Sequence, residues 1–200
     1  NFCEENANLQ NQAGRPLNLD IDDMLESYGV RVNTDLVRDA SCAYVSLQQQ
    51  AGSMIMQTQG PVYYLPRAAD VDQTSPIVRD LGSVVFYFAS SIDTTIAPTR
   101  GYNCQVLVSS SKHSGRQENY FVIDPRAQMT QEMFKESGIP LAVTVEGAFV
   151  SAFATKPVGA DTSAAAALDT TGKVVSGRLT KIAVIGDGDF LQDQYSGGNK

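Results

Sequence analysis

Leu179-Thr180-Lys181-Ile182-Ala183-Val184-Ile185-Gly186-Asp187-Gly188-Asp189-Phe190 carries the reading of the fold. An apolar run that passes straight into glycine and aspartate is how an α/β protein ends a central strand, at the face where ligands collect. Too little chain follows to found a second core, so this strand is expected to return into a sheet laid down by earlier residues. Upstream, residues 156–177 are the most loop-like part, with Pro157, Gly159, Gly172 and Gly177 around an alanine run. They read as a surface excursion and not as a domain linker. Residues 139–155 read as one long or bent strand interrupted at Glu146-Gly147, because glycine inside a strand often marks a bulge or a close backbone approach.

Two helices are expected. In residues 18–29 Ile21, Met24, Leu25 and Tyr28 recur at helical spacing, with Asp20 or Asn18 to cap the start and Gly29 for the left-handed end. Met129 to Glu136 can form the second, with Gly138 as its stop. Strands are expected at 30–32, at 104–109 and 119–123, and at Val84–Ala89. Residues 42–49, 53–58 and 61–65 read as a meander broken by Gly52 and Gly60-Pro61. Residues 1–200 are therefore read as one α/β domain with a mixed sheet and a few short helices.

Composition narrows the function. The 200 residues hold 15 Lys and Arg against 22 Asp and Glu, a net charge of −7, which argues against a nucleic-acid footprint or an anionic-membrane surface. A single histidine, His113, rules out a histidine-rich metal centre, and its Ser-rich, Gly-containing surroundings read as a loop. Cys3, Cys42 and Cys104 are far apart with no C-x-x-C, which excludes a local zinc ribbon or redox pair. They are either small buried hydrophobes or, in an oxidising compartment, partly joined in one disulfide. No apolar run approaches the roughly 18 residues of a membrane span. Neither end has the look of a natural terminus, and the chain is expected to be a soluble piece of a longer, membrane-anchored protein.

The chemically densest cluster is the turn after the terminal strand. A dinucleotide loop needs a third glycine where Leu191 stands. A calcium loop needs an oxygen ligand at Leu191 and glycine at Gln192. No phosphate-binding loop is present either. Asp187 and Asp189 could still hold a divalent ion with Asp193 or a distant acid. Alternatively, Asp189 caps a following helix while the glycines make a tight turn. The candidate ligand-binding residues are therefore Asp187, Asp189 and Phe190, with Ser109 and Ser110 on a neighbouring strand end. No catalytic residue, resident metal or cofactor is expected.

Several blocks in order resemble the GldG-like auxiliary component of gliding-motility ABC transporters, also called the ABC-type uncharacterized transport system domain. They are Asp23 to Asn33 with Leu36-Val37-Arg38-Asp39, Ser75 to Val78 with Val84 to Ile92, Val106 to Ser111, Pro140 to Gly147, and Ile182 to Phe190. The resemblance spans about residues 17 to 193. It implies a periplasmic domain of an inner-membrane protein, working beside permease and ATPase subunits and reaching the membrane only through flanking helices. It also implies a flavodoxin-like or related three-layer sheet, left incomplete because the family's preceding strand-helix half is missing here. Cys42 to Tyr64 and the alanine-rich excursion fall outside the matching blocks. The function expected is a non-catalytic domain acting through partner or cargo contact. The rivals are a small-ligand or carbohydrate-binding module and a metal-dependent hydrolase or transferase at the same aspartates. Oligomeric state and cysteine pairing stay open.

Overall fold

The computed structural model describes residues 12–14, 19–51, 54–118, 121–123, 129–152 and 176–191, with 12–14, 47–51, 54–56 and 121–123 described as backbone alone. In chain order the strands begin with β1 (Gln12–Gly14), followed by helix α1 (Asp22–Ser27), β2 (Arg31–Val32), β3 (Asp35–Asp39), β4 (Cys42–Ala51) and β5 (Met54–Ala68). Next come β6 (Asp70–Val71), β7 (Val84–Val85), β8 (Ile92–Asp93), helix α2 (Ile96–Thr99), β9 (Asn103–Ser109), β10 (Ser114–Glu118) and β11 (Phe121–Ile123). A 3-10 turn (Gln131–Phe134), β12 (Pro140–Gly147) and β13 (Thr180–Ile185) complete the series.

The largest sheet has the order β13-β12-β9-β6; the others are β4-β5-β7, β10-β3, β2-β8 and β1-β11. Each of these pairings is antiparallel. The described chain is thus mostly β, in several small sheets with two short helices. The mixed α/β expectation is met only in part. A doubly wound, flavodoxin-like sheet needs parallel strands joined by helical crossovers, and no parallel pair occurs among the described residues.

The centre of the main sheet is β12, where Leu141, Ala142, Val143, Thr144 and Val145 are all buried. A strand covered on both faces reads as a continuous apolar run, which explains this sequence. Its register slips between Pro140 and Val143. That irregularity lets the adjacent Leu141 and Ala142 both join one core, with Val37, Phe86 and Leu107, before alternation resumes. Val143 and Val145 then face a second core of Val30, Ile92, Ala97 and Phe149. Tyr28 and Tyr102 meet the Phe149 ring edge-on at 5.3 and 5.0 Å. Each fully buried valine or leucine contributes about 1.5–3 kcal/mol.

The terminal strand does return into the main sheet, pairing with β12. Its place corrects the expectation of a central strand: among the described residues β13 lies at the sheet edge, with Thr180, Lys181 and Ala183 exposed. Ile-Ala-Val-Ile fits an edge as well as a centre, and the neighbours decide.

Other elements shift for local reasons. The expected meander is a two-stranded hairpin, because Gly60 and Pro61 pair within the ladder opposite Val45 and Tyr44. The helix at 18–29 shortens to α1 with no side-chain cap, while Gly29 takes φ +92° as expected and packs its backbone against Ala97. The second helix is only the 3-10 turn. Of Val84–Ala89, Val84 and Val85 alone are strand. The following backbone crosses several elements: Phe86 N donates to Pro66 O, Phe88 N to Tyr64 O, and Val37 N to Ala89 O. Phe88 sits at φ +51° on this path. The strand expected through 155 ends at Gly147, where a Cβ would press into the Tyr102 ring. The excursion at 156–177 lies almost wholly outside the described residues.

Candidate functional site

The terminal turn is anchored from both sides. Gly186 N donates to Leu141 O at 2.9 Å, and Gly186 O accepts from Ser90 N at 2.8 Å. The approach is so close that a Cβ at 186 would collide with the Ser90 carbonyl. This holds Asp187 buried, where Oδ2 accepts the Tyr87 N–H at 2.7 Å and Oδ1 the Asp189 N–H at 2.8 Å. Burial pushes its carboxyl above the usual range, and the backbone N–H groups of Tyr87, Asp189 and Phe190 pull the other way. Phe190 stacks on Phe86 with ring centroids 5.8 Å apart. Residues 188–191 form a turn, and the residues after 191, through which a helix capped by Asp189 would run, lie outside the described residues.

Ser109 closes β9, paired with Asp70 and Pro140. Ser110 is buried; its Oγ accepts from Ile139 N at 2.8 Å and lies 2.8 Å from Ser114 Oγ. Strands β9 and β13 flank β12 and both oppose it, so Ser109 and Asp187 reach the same end of the sheet on opposite sides of β12. The five residues therefore share a sheet end. Asp187 and Ser110 fasten backbone there. Beside them, Asp39 accepts from Ser41 N and from the N–H and hydroxyl of Ser111.

A concavity is formed by other residues. A cleft of about 860 Å³ opens between the start of β3, β8 with the turn into α2, β10, and the turn leading to β12. Its floor is Asp35, 2% exposed, whose Oδ1 accepts Ser91 N at 2.8 Å and whose Oδ2 accepts Ser91 Oγ at 2.6 Å. Asn33 Nδ2 donates to the same Ser91 hydroxyl at 2.9 Å. Burial pushes the Asp35 carboxyl up, while Ser91 and the Arg116 charge draw it down. Asp93, also in the lining, accepts the N–H and hydroxyl of Thr95 and is held below the usual carboxylate range by them. Arg116 is clasped by Glu136, with Nε to Oε2 at 2.8 Å and its own backbone N–H to Oε1 at 3.0 Å. That pairing raises the guanidinium further.

Asp35, Asp93, Glu118 and Glu136 thus surround a single, already paired arginine. Such a lining favours ligands that donate hydrogen bonds and disfavours anions. The Ser91 hydroxyl, 1% exposed and committed to Asp35, is not presented as a nucleophile. Among the described residues, no group of three or more His, Cys, Asp or Glu could hold a metal ion. The signal for this cleft in the sequence is an acid at the head of an apolar strand, Asp35-Leu36-Val37, and the polar exit Ser90-Ser91-Ile92-Asp93.

His113 is exposed in its loop. Cys42 is buried and Cys104 half-buried, both as free thiols pushed up by burial; Cys3 lies outside the described residues. No helix among the described residues is long and apolar enough to cross a membrane. Residues 2–200 match the family model described as an ABC-type uncharacterized transport system. Comparison with curated proteins and with solved structures gives no match.

Proposed function

The chain belongs to the ABC-type uncharacterized transport system family, and from that premise we propose that it is a non-catalytic extracytoplasmic domain of an auxiliary transporter component. The observation that carries this reading is the family match along residues 2–200. In its finer form the component is of the GldG-like, gliding-motility type. One domain, residues 1–200, sits in the periplasm on a parent anchored in the inner membrane. It acts by contact with cargo or with the permease and ATPase subunits. The buried carboxylates support a scaffold role, since Asp35, Asp39 and Asp187 each hold backbone N–H groups. Compartment tests the reading: protease added to intact spheroplasts should digest this part of the full-length protein. Protection until the membrane is permeabilised would overturn it.

A second reading, a small-ligand module that includes carbohydrate binders, is favoured by the Asp35 cleft. The turn at Asp187, Asp189 and Phe190 offers it less, because backbone N–H groups already occupy the Asp187 carboxylate. Amide shifts confined to residues 33–35, 91–95 and 116 on titration with neutral saccharides would support it, and an unperturbed spectrum would oppose it.

A further inference from the structure

Strand β4 is the outer member of the β4-β5-β7 sheet, and its ladder with β5 runs unbroken from Ala43↔Val62 to Ala51↔Met54, after a register shift that separates it from Cys42↔Pro66. Ten residues of strand make an arm about 33 Å long. Among the described residues β4 pairs with β5 alone, so every second residue turns its N–H and C=O to the outer edge. Proteins guard such edges with charges, prolines or short length, because an open edge templates pairing with another strand. Here the guards are missing. Residues 40–66 contain no Asp, Glu, Lys, Arg or His, and β4 contains no proline. All 15 basic and 22 acidic residues lie in the rest of the chain.

That contrast bears on what covers the edge. The chain's net charge of −7 repels a second copy over most approaches and steers a basic partner to acidic surfaces. The neutral arm is the long stretch where two copies meet without like-charge repulsion. A second β4 also matches the first in length and chemistry, as a two-fold isologous contact requires. We propose that two copies of this chain associate through antiparallel β4-to-β4 pairing, joining their hairpins into one continuous sheet. This goes beyond the transporter reading and does not depend on it.

The test is sedimentation of the chain between about 1 and 100 µM, with hydrogen exchange of the residue 42–51 amides followed over the same range. A species of twice the 21.5 kDa chain mass is expected, with amide protection on β4 rising as the dimer forms. Tyr44 and Ser46 are exposed on one face at the root of the arm. Tyr44→Lys/Ser46→Lys places four like charges across the joined edges and should weaken association at least tenfold at low salt. Added salt should restore it, and the thermal midpoint of the monomer should be unchanged. Leu179→Lys, at an exposed site before β13, should leave association intact. A monomer at all concentrations overturns the proposal, as does a dimer indifferent to the paired lysines. Protection of β4 only when transporter subunits are added would assign the edge to them instead.

Discussion

Removing the Asp35 carboxylate should be among the most damaging single changes in this chain. Asp35→Ala strips the acceptor from two donors of Ser91, which is itself 1% exposed. A buried donor left unsatisfied costs about 1–3 kcal/mol, so the two together cost roughly 2–4 kcal/mol once the relieved burial of charge is set against them. That is a large part of the 5–15 kcal/mol typical of a domain, and about 4–16 °C in midpoint for a chain of this size. Asp35→Asn keeps one carbonyl oxygen for Ser91 N, and the Ser91 hydroxyl can turn to accept, so it should cost about 1–2 kcal/mol. The pH dependence follows from the raised carboxyl. On acidification the folded state takes up this proton before the unfolded state does. Its stabilisation is therefore full below the unfolded value near 3.9 and is lost as pH rises through the folded value. Asp35→Asn should thus be more destabilising at pH 4 than at pH 7. Urea unfolding followed by far-ultraviolet circular dichroism at both pH values measures it. A loss below about 1 kcal/mol for Asp35→Ala, or an equal cost of Asp35→Asn at both pH values, would refute the reasoning.

Asp187→Asn should show the same pH sign, because burial raises that carboxyl too, and amide exchange at Tyr87 should accelerate. Gly186→Ala should lower the midpoint by several degrees, since the new methyl meets the Ser90 carbonyl and must push the turn off the sheet; calorimetry reads this directly. Leu141→Ala should cost about 2–5 kcal/mol in urea unfolding because Leu141 is fully buried at the centre of β12. Asp93 has the opposite titration sign: its stabilising contribution is present above the unfolded value and lost as pH falls through the lowered folded one. Asp93→Asn should therefore lose its effect in acid.

Periodicity made α1 legible, since Ile21, Met24, Leu25 and Tyr28 fall on one stripe, and the run Leu141 to Val145 announced a buried strand. The order of strands within the main sheet was not legible. Ile182 to Ile185 and Leu141 to Val145 are similar in composition, and only the partners on each flank make one an edge and the other the centre. The segment after Val85 misled because its backbone bonds to β5 at Phe86 and Phe88, to β3 at Ala89 and to the Gly186 turn at Ser90, and not to one ladder. At the candidate site, Asp187, Asp189 and Phe190 were visible as a Gly-Asp turn. The cleft was harder to see: it is assembled from residues as far apart as Asp35, Ser91, Arg116 and Glu136, and only tertiary packing brings them to one concavity.

The central claim, that this chain serves an ABC transporter by contact, is tested most directly by affinity isolation of the tagged full-length protein from gently solubilised membranes. Quantitative mass spectrometry then measures what accompanies it. The account predicts a permease and an ATPase subunit in near-stoichiometric amounts. Recovery of the full-length protein without either of them would contradict it.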